Sequence, residues 1–133
     1  MSQSKQPVIH QEISINASPQ RVFEALTKSK QFSELTGGAA AEINAAPGGA
    51  FSCFGGMITG YNLDLIPNQR LVQAWRAGNW EAGVFSIARF ELQADGANSK
   101  LIFDHSSIPA EQSESLEAGW HKMYWEPLQK YLS

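Results

Sequence analysis

One cysteine, Cys53, stands among the 133 residues, so no internal disulfide can form and the disulfide-stapled secreted folds are excluded. Charge is scarce as well. Asp, Glu, Lys and Arg make up 17% of the chain against about 25% in an average domain. Ten basic residues face thirteen acidic ones, a net charge of −3, and like charges form no block. The basic patch of a nucleic-acid binder is therefore missing, and no nucleic-acid partner is expected. No apolar run approaches the ~18 residues of a membrane span, and the opening MSQSKQP is polar where a secretory leader would be apolar. A cytoplasmic protein is expected. Asn16-Ala17-Ser18, formally a glycosylation sequon, reads as turn chemistry.

Chemistry-bearing motifs are also few. His10, His105 and His121 lie far apart with no zinc-site spacing, so no metal is expected. Neither G-x-S-x-G, G-x-x-x-x-G-K-[ST] nor G-x-G-x-x-G occurs. The glycine pairs 37-38, 48-49 and 55-56 read as turns and bulges. Cys53 sits in FSCF between aromatic residues, a setting for a buried and inert thiol. Glu117 and His121, four apart on a helix, read as a surface contact. No catalytic residue and no cofactor are expected.

What is present is hydrophobic periodicity in a chain of one-domain length. Residues 1–7 read as a flexible N-terminus and 8–133 as a single domain. Val8 to Asn16 alternates, with Ile9, Ile13 and Ile15 on one face. Ser18-Pro19 starts a short helix, SPQRVFEALTK, and Ser29 opens a second turn carrying Phe32 and Leu35. From Ala39 to Leu101 short alternating segments are punctuated by Pro and Gly, the pattern of an antiparallel meander. Its strands read as a short piece at 41–45, then 51–54, 57–66, 70–77, 84–92 and 100–108. With Val8 to Asn16 these make about seven. Ala110 to Leu132 reads as one long helix whose Leu116, Trp120, Met123, Pro127 and Tyr131 form an apolar stripe, with a bend expected at Pro127. The turns are too short for parallel crossovers. The fold class is α+β: a curved antiparallel sheet wrapped around the C-terminal helix, with two short helices after the first strand. One helix laid in that trough would leave an apolar cavity.

The strings SPQRVFEAL, PGGAF, MITGYNLDLIPNQRLVQAWR and SIPAEQSESLEAGWHKMYWEPL carry a resemblance over nearly the whole chain. It resembles the START-like, or helix-grip, superfamily (SRPBCC). Within that, it is similar to the family named for the C-terminal domain of the activator of the ninety-kilodalton heat-shock chaperone ATPase. The most specific piece is Pro109, then Gly119-Trp120, then Tyr124-Trp125. The resemblance implies a helix-grip fold with a pocket between sheet and helix, and a co-chaperone-like, stress-response partner of that chaperone class. The eukaryotic co-chaperone has a separate N-terminal domain, for which the seven residues before the first strand offer no counterpart.

The function expected from these residues is non-catalytic binding of a hydrophobic or amphipathic small molecule. Trp75, Phe85, Phe103, Trp120, Met123 and Tyr124 are its expected apolar lining, and Gln73 or His105 would orient the guest. Trp80, in a turn, and Trp125, off the helix stripe, are expected on the surface and are candidates for contact with a protein partner. The chain is expected as a monomer or homodimer.

Overall fold

In the computed structural model residues 8–133 are described, and the expected flexible segment at 1–7 lies outside them. Alternation sets the first strand, β1 (Ile9–Ile15), which buries Ile9, Gln11, Ile13 and Ile15 and leaves His10, Glu12 and Ser14 in solvent. Ser18 caps α1 (Pro19–Thr27) by accepting the Arg21 N–H at 3.3 Å, with Pro19 in the first turn where its missing N–H costs nothing. After a break at Lys28, α2 (Ser29–Leu35) buries Phe32 and Leu35.

The remaining strands are β2 (Glu42–Ile43), β3 (Ala50–Cys53), β4 (Ile58–Ile66), β5 (Arg70–Ala77), β6 (Ser86–Asp95) and β7 (Asn98–Ser106). They form one sheet in the order β1-β7-β6-β5-β4-β3-β2, and every pairing is antiparallel. The α+β helix-grip class is the observed one. β6 and β7 reach farther into their hairpin than the hydrophobic pattern suggests, with Asp95 opposite Asn98. That tip projects into water, where strand pairing needs no apolar side chain.

Two glycines lock the middle of the sheet by what they lack. A Cβ on Gly60 would stand 1.8 Å from the Ala74 carbonyl oxygen and 2.8 Å from the Phe51 ring, and one on Gly49 would stand 2.3 Å from the Asn44 carbonyl oxygen. The 44–49 loop therefore folds flat onto β4. There Asn62, fully buried, accepts the Gly48 N–H, gives its own N–H to Gly49 and donates Nδ2 to Asn44 at 2.9 Å.

The C-terminal helical run is not one helix. A 3₁₀ turn (Ala110–Gln112) leads into α3 (Ser113–Gly119), a π-helical stretch (Trp120–Trp125) and α4 (Glu126–Leu132). The Glu126 N–H bonds the His121 carbonyl five residues back. Pro127, next in the chain, has no N–H for Met123 and its ring crowds that carbonyl. The disturbance expected at the proline thus takes the form of a widened turn before it.

This widened turn fills much of the trough. On an α-helix two residues five apart lie about 140° from each other, yet here Trp120 and Trp125 both face the sheet and stack at 5.5 Å with 21° between their planes. Trp120 also meets Phe103 at 4.2 Å and Trp75 at 5.3 Å, while Trp125 meets Phe90 at 6.1 Å. Each large side chain so buried is worth about 1.5–3 kcal/mol. Much of the hollow expected between sheet and helix is therefore occupied by the protein's own aromatic residues. Deep in the interior, beside Gln73 and Tyr124, lies a void of about 10 Å³.

Candidate functional site

The polar groups of the interior are paired by geometry that leaves them little chemistry. His105 on β7 is fully buried. Its Nδ1 receives the Trp120 indole N–H at 3.0 Å, so Nε2 carries the proton and donates to Ser86 Oγ at 2.6 Å, which in turn donates to the Trp75 carbonyl at 3.0 Å. Burial pushes the imidazole pKa down to about 3, which keeps it neutral. His105, expected to orient a guest, is instead the tie that seats the helix on the sheet. A second tie comes from Gln11 on β1, whose Nε2 donates to the Glu117 carbonyl at 3.0 Å while its Oε1 accepts the Trp125 indole N–H at 2.6 Å. Gln73 donates to Asn62 Oδ1 at 3.1 Å and belongs to the locked loop.

The expected surface pair is corrected too. Trp125 is 1% exposed, brought inward by the π-helical turn, and Trp80 is 7% exposed. The chain after β5 doubles back so that the Trp80 N–H bonds Ala77 and its carbonyl accepts from Arg76 at 2.7 Å, and its ring sits edge-on against Trp75 at 5.6 Å. Neither tryptophan offers a contact surface. The Trp80 indole N–H is buried and has no hydrogen-bond partner among the described residues. Phe85 is 37% exposed, next to Tyr61 at 6.2 Å and beneath the Arg76 guanidinium at 5.8 Å. It precedes β6 on the solvent side and lines no interior wall. Phe103 is wholly core. Tyr124 is buried against Phe32, Phe54 and Trp120, and burial holds its phenol far above the ordinary range.

An opening does exist, at one end of the seam between sheet and helix. It is a groove of about 250 Å³ lined by Phe54, Met57, Ile58, Trp75, Leu116, Gly119, Trp120 and Met123. Three of the expected lining residues, Trp75, Trp120 and Met123, meet there. One wall comes from the helical run, where Leu116, Gly119, Trp120 and Met123 are spaced by three, one and three. The facing lip is the turn between β3 and β4, in which Phe54, Gly55 and Gly56 all have positive φ (54°, 67° and 94°). For the phenylalanine such a conformation is strained, and after it Met57 stands 66% exposed, while Met123 on the helical wall is 45% exposed. Among the described residues no charged side chain lines the groove.

Phe54, Met57, Ile58 and Gly119 are wall residues to which the sequence pattern does not point. Phe54 was assigned to a strand and Met57 and Ile58 to the start of another, so the intervening turn was invisible as a wall. Leu116 was readable on the helix stripe. Outside the groove, Cys53 is buried and its thiol pKa is pushed up to about 12 by desolvation. On the outer face, His10 bonds Asp104 at 2.7 Å and Glu12 at 3.0 Å, and Lys100 pairs with Glu12 at 2.8 Å. Those carboxylates raise the His10 pKa.

Comparison with known proteins places this geometry in a lineage. A sequence model described as "Activator of Hsp90 ATPase homolog 1-like protein" matches residues 16–133. A Dictyostelium discoideum relative, an activator of 90 kDa heat shock protein ATPase homolog, is 37% identical over 78 residues, 56% of this chain and 20% of its own length. The human activator of 90 kDa heat shock protein ATPase homolog 1 is 26% identical over 113 residues, 85% of this chain and 33% of its own. The chain thus spans a third or less of these relatives. Among solved structures, an HSP90 activator from Plasmodium falciparum superposes with a TM-score of 0.84 at 23% identity, covering 97% of this chain and 96% of that one. An Aha1 dimer from Colwellia psychrerythraea gives 0.80 at 19% identity, covering 95% and 96%. At these identities the superpositions speak for the fold alone.

Proposed function

This chain belongs to the Activator of Hsp90 ATPase homolog 1-like family, and from that premise we propose that residues 8–133 act as one non-catalytic binding module whose groove holds a hydrophobic or amphipathic small molecule. The observation that carries the reading is an apolar hollow of about 250 Å³ that the fold leaves open to solvent while filling the space beside it with aromatic rings. Ligand sites are concave and largely apolar, commonly from about 300 Å³ upward, so the guest is small or enters with only part of itself. Absence of catalysis is supported by the state of the reactive groups: His105 is neutral with both nitrogens engaged, and Cys53 is a buried thiol. The module is read as a cytoplasmic one.

The test is a titration of the protein with a panel of fatty acids, sterols and uncharged hydrophobic metabolites, followed through the ε-methyl NMR signals of Met57 and Met123. Saturable shifts of both signals, with Kd of order 10 μM to 1 mM for a guest of about ten heavy atoms, are expected. Signals that stay still across the panel at millimolar concentration refute the reading.

A second reading is favoured by the relatives, which are named as activators of a 90 kDa heat shock protein ATPase. In it the same groove, rimmed by two exposed and adaptable methionines, receives an apolar side chain of such a chaperone. Addition of the chain to the purified chaperone would then stimulate ATP hydrolysis, and Met57→Glu with Met123→Glu would remove the stimulation. An unchanged ATPase rate removes this option.

A further inference from the structure

Nine of the eleven glycines have a reason in the backbone. Each of these has either a positive φ or a neighbouring atom closer than 3 Å to where a Cβ would stand, while a Cβ on Gly78 would make only an ordinary contact, with the Met57 carbonyl oxygen at 3.4 Å. Gly119 has neither. Its φ of −63° and ψ of −37° are ordinary right-handed helix, and a Cβ there would meet nothing within 4 Å. A glycine inside a helix shifts the folding balance unfavourably by about fivefold relative to alanine. The fold gains nothing in return at this position. The side chain it withholds would stand in the groove, of which Gly119 is a wall between Leu116 and Trp120.

From this we infer that Gly119 is the specificity-determining residue of the groove, and that the group it admits is a single uncharged aromatic ring. This rests on the binding reading above and narrows it. Size comes from the volume of about 250 Å³. Neutrality comes from the walls, which offer no charged or hydrogen-bonding side chain apart from two indoles already committed. Trp120 gives its N–H to His105, and the Trp75 N–H points to the Tyr124 hydroxyl. A carboxylate or ammonium placed there would lose its water with no partner to replace it. Aromaticity comes from the two rim thioethers and the rings. Methionine sulfur favours aromatic edges, and the Phe54, Trp75 and Trp120 rings offer faces and edges for offset or T-shaped contact. A flat ring also slides between helix and lip where a side chain at 119 would otherwise stand.

The probes are toluene, methylcyclohexane and benzoate, with binding read from the Met57 and Met123 methyl signals and folding from thermal melts. Wild type is expected to bind toluene several-fold more tightly than methylcyclohexane and to show no benzoate binding. Gly119→Leu is expected to stay folded and to lose toluene affinity at least tenfold. Gly119→Ala is expected to raise Tm by about 3 °C and to weaken toluene binding by a smaller factor. Should Gly119→Leu fail to fold, Gly119→Ala decides the matter by the same pair of readouts. Undiminished toluene binding in the folded variants overturns the role of Gly119 and leaves the binding module standing. Equal affinity for methylcyclohexane, or binding of benzoate, overturns the aromatic or the neutral assignment alone. A wild-type protein that binds none of the three probes and nothing in the wider panel overturns both readings.

Discussion

Acid should pull the C-terminal helix off the sheet through one residue. His105 is neutral in the folded protein with a pKa near 3, against 6.5 for an unburied imidazole. A lowered folded pKa means that the unfolded chain binds the proton first, so the stability it contributes is complete above pH 6.5 and is lost as pH falls toward 3. Each unit of difference is worth about 1.4 kcal/mol. Between pH 7.5 and 4.5 the loss is therefore about 3 kcal/mol, and by pH 3 about 4–5 kcal/mol. That is a large part of the 5–15 kcal/mol that holds a typical domain together. The structural cause is that protonated Nδ1 would present a second donor to the Trp120 N–H that now points at it. Urea unfolding followed by far-UV circular dichroism at the two pH values measures the loss. His105→Gln supplies the control, because an amide can accept from Trp120 and donate to Ser86 without titrating. Contributions from His10 and Glu12 on the outer face are common to both proteins and cancel in the comparison. Equal losses in wild type and His105→Gln would refute the reasoning.

Three further outcomes follow from the packing. Gln11→Leu strands the Trp125 N–H and takes a partner from the Glu117 carbonyl, and should cost about 1–3 kcal/mol in urea unfolding. Gly60→Ala sets a methyl group against the Ala74 backbone and the Phe51 ring; its cost should reach at least about 3 kcal/mol, seen as a lowered Tm or loss of soluble protein. Trp80→Phe removes an N–H that has no partner among the described residues, whereas Trp125→Phe leaves Gln11 Oε1 without its donor. Thermal melts should show the second change to be costlier by about 1–2 kcal/mol, and an equal cost would argue against the pairing.

The architecture was legible in the sequence because period-two alternation in β1 and the meander reports burial directly, and because Ser18-Pro19 and the glycine turns are local signals. The site was legible only in part. Trp75, Trp120 and Met123 fall on faces that simple alternation or a 3.6-residue period assigns correctly. Trp125 does not, since a π-helical turn changes which residues share a face and leaves no mark in hydrophobic spacing. Trp80 was misplaced because a tryptophan in a turn reads as exposed, whereas the Arg76 contact to its carbonyl draws the turn inward. The size of the cavity was beyond sequence reasoning. Whether a trough is empty depends on how far the large side chains reach across it, and Trp75, Phe90, Phe103, Trp120 and Trp125 reach far enough to close all but one end of it.

The sheet order has a consequence for how the chain assembles. Strands β2 to β7 are each neighbours of the strand next in sequence, so the meander can zip from hairpin to hairpin. β1 alone joins a distant partner, across 94 positions in the case of His10 and Asp104. It must wait unpaired until β7 has formed, and β7 meanwhile presents a bare edge rich in Leu101, Ile102 and Phe103. The vulnerable interval of folding is therefore the one just before this closure, when a second chain could supply the missing strand.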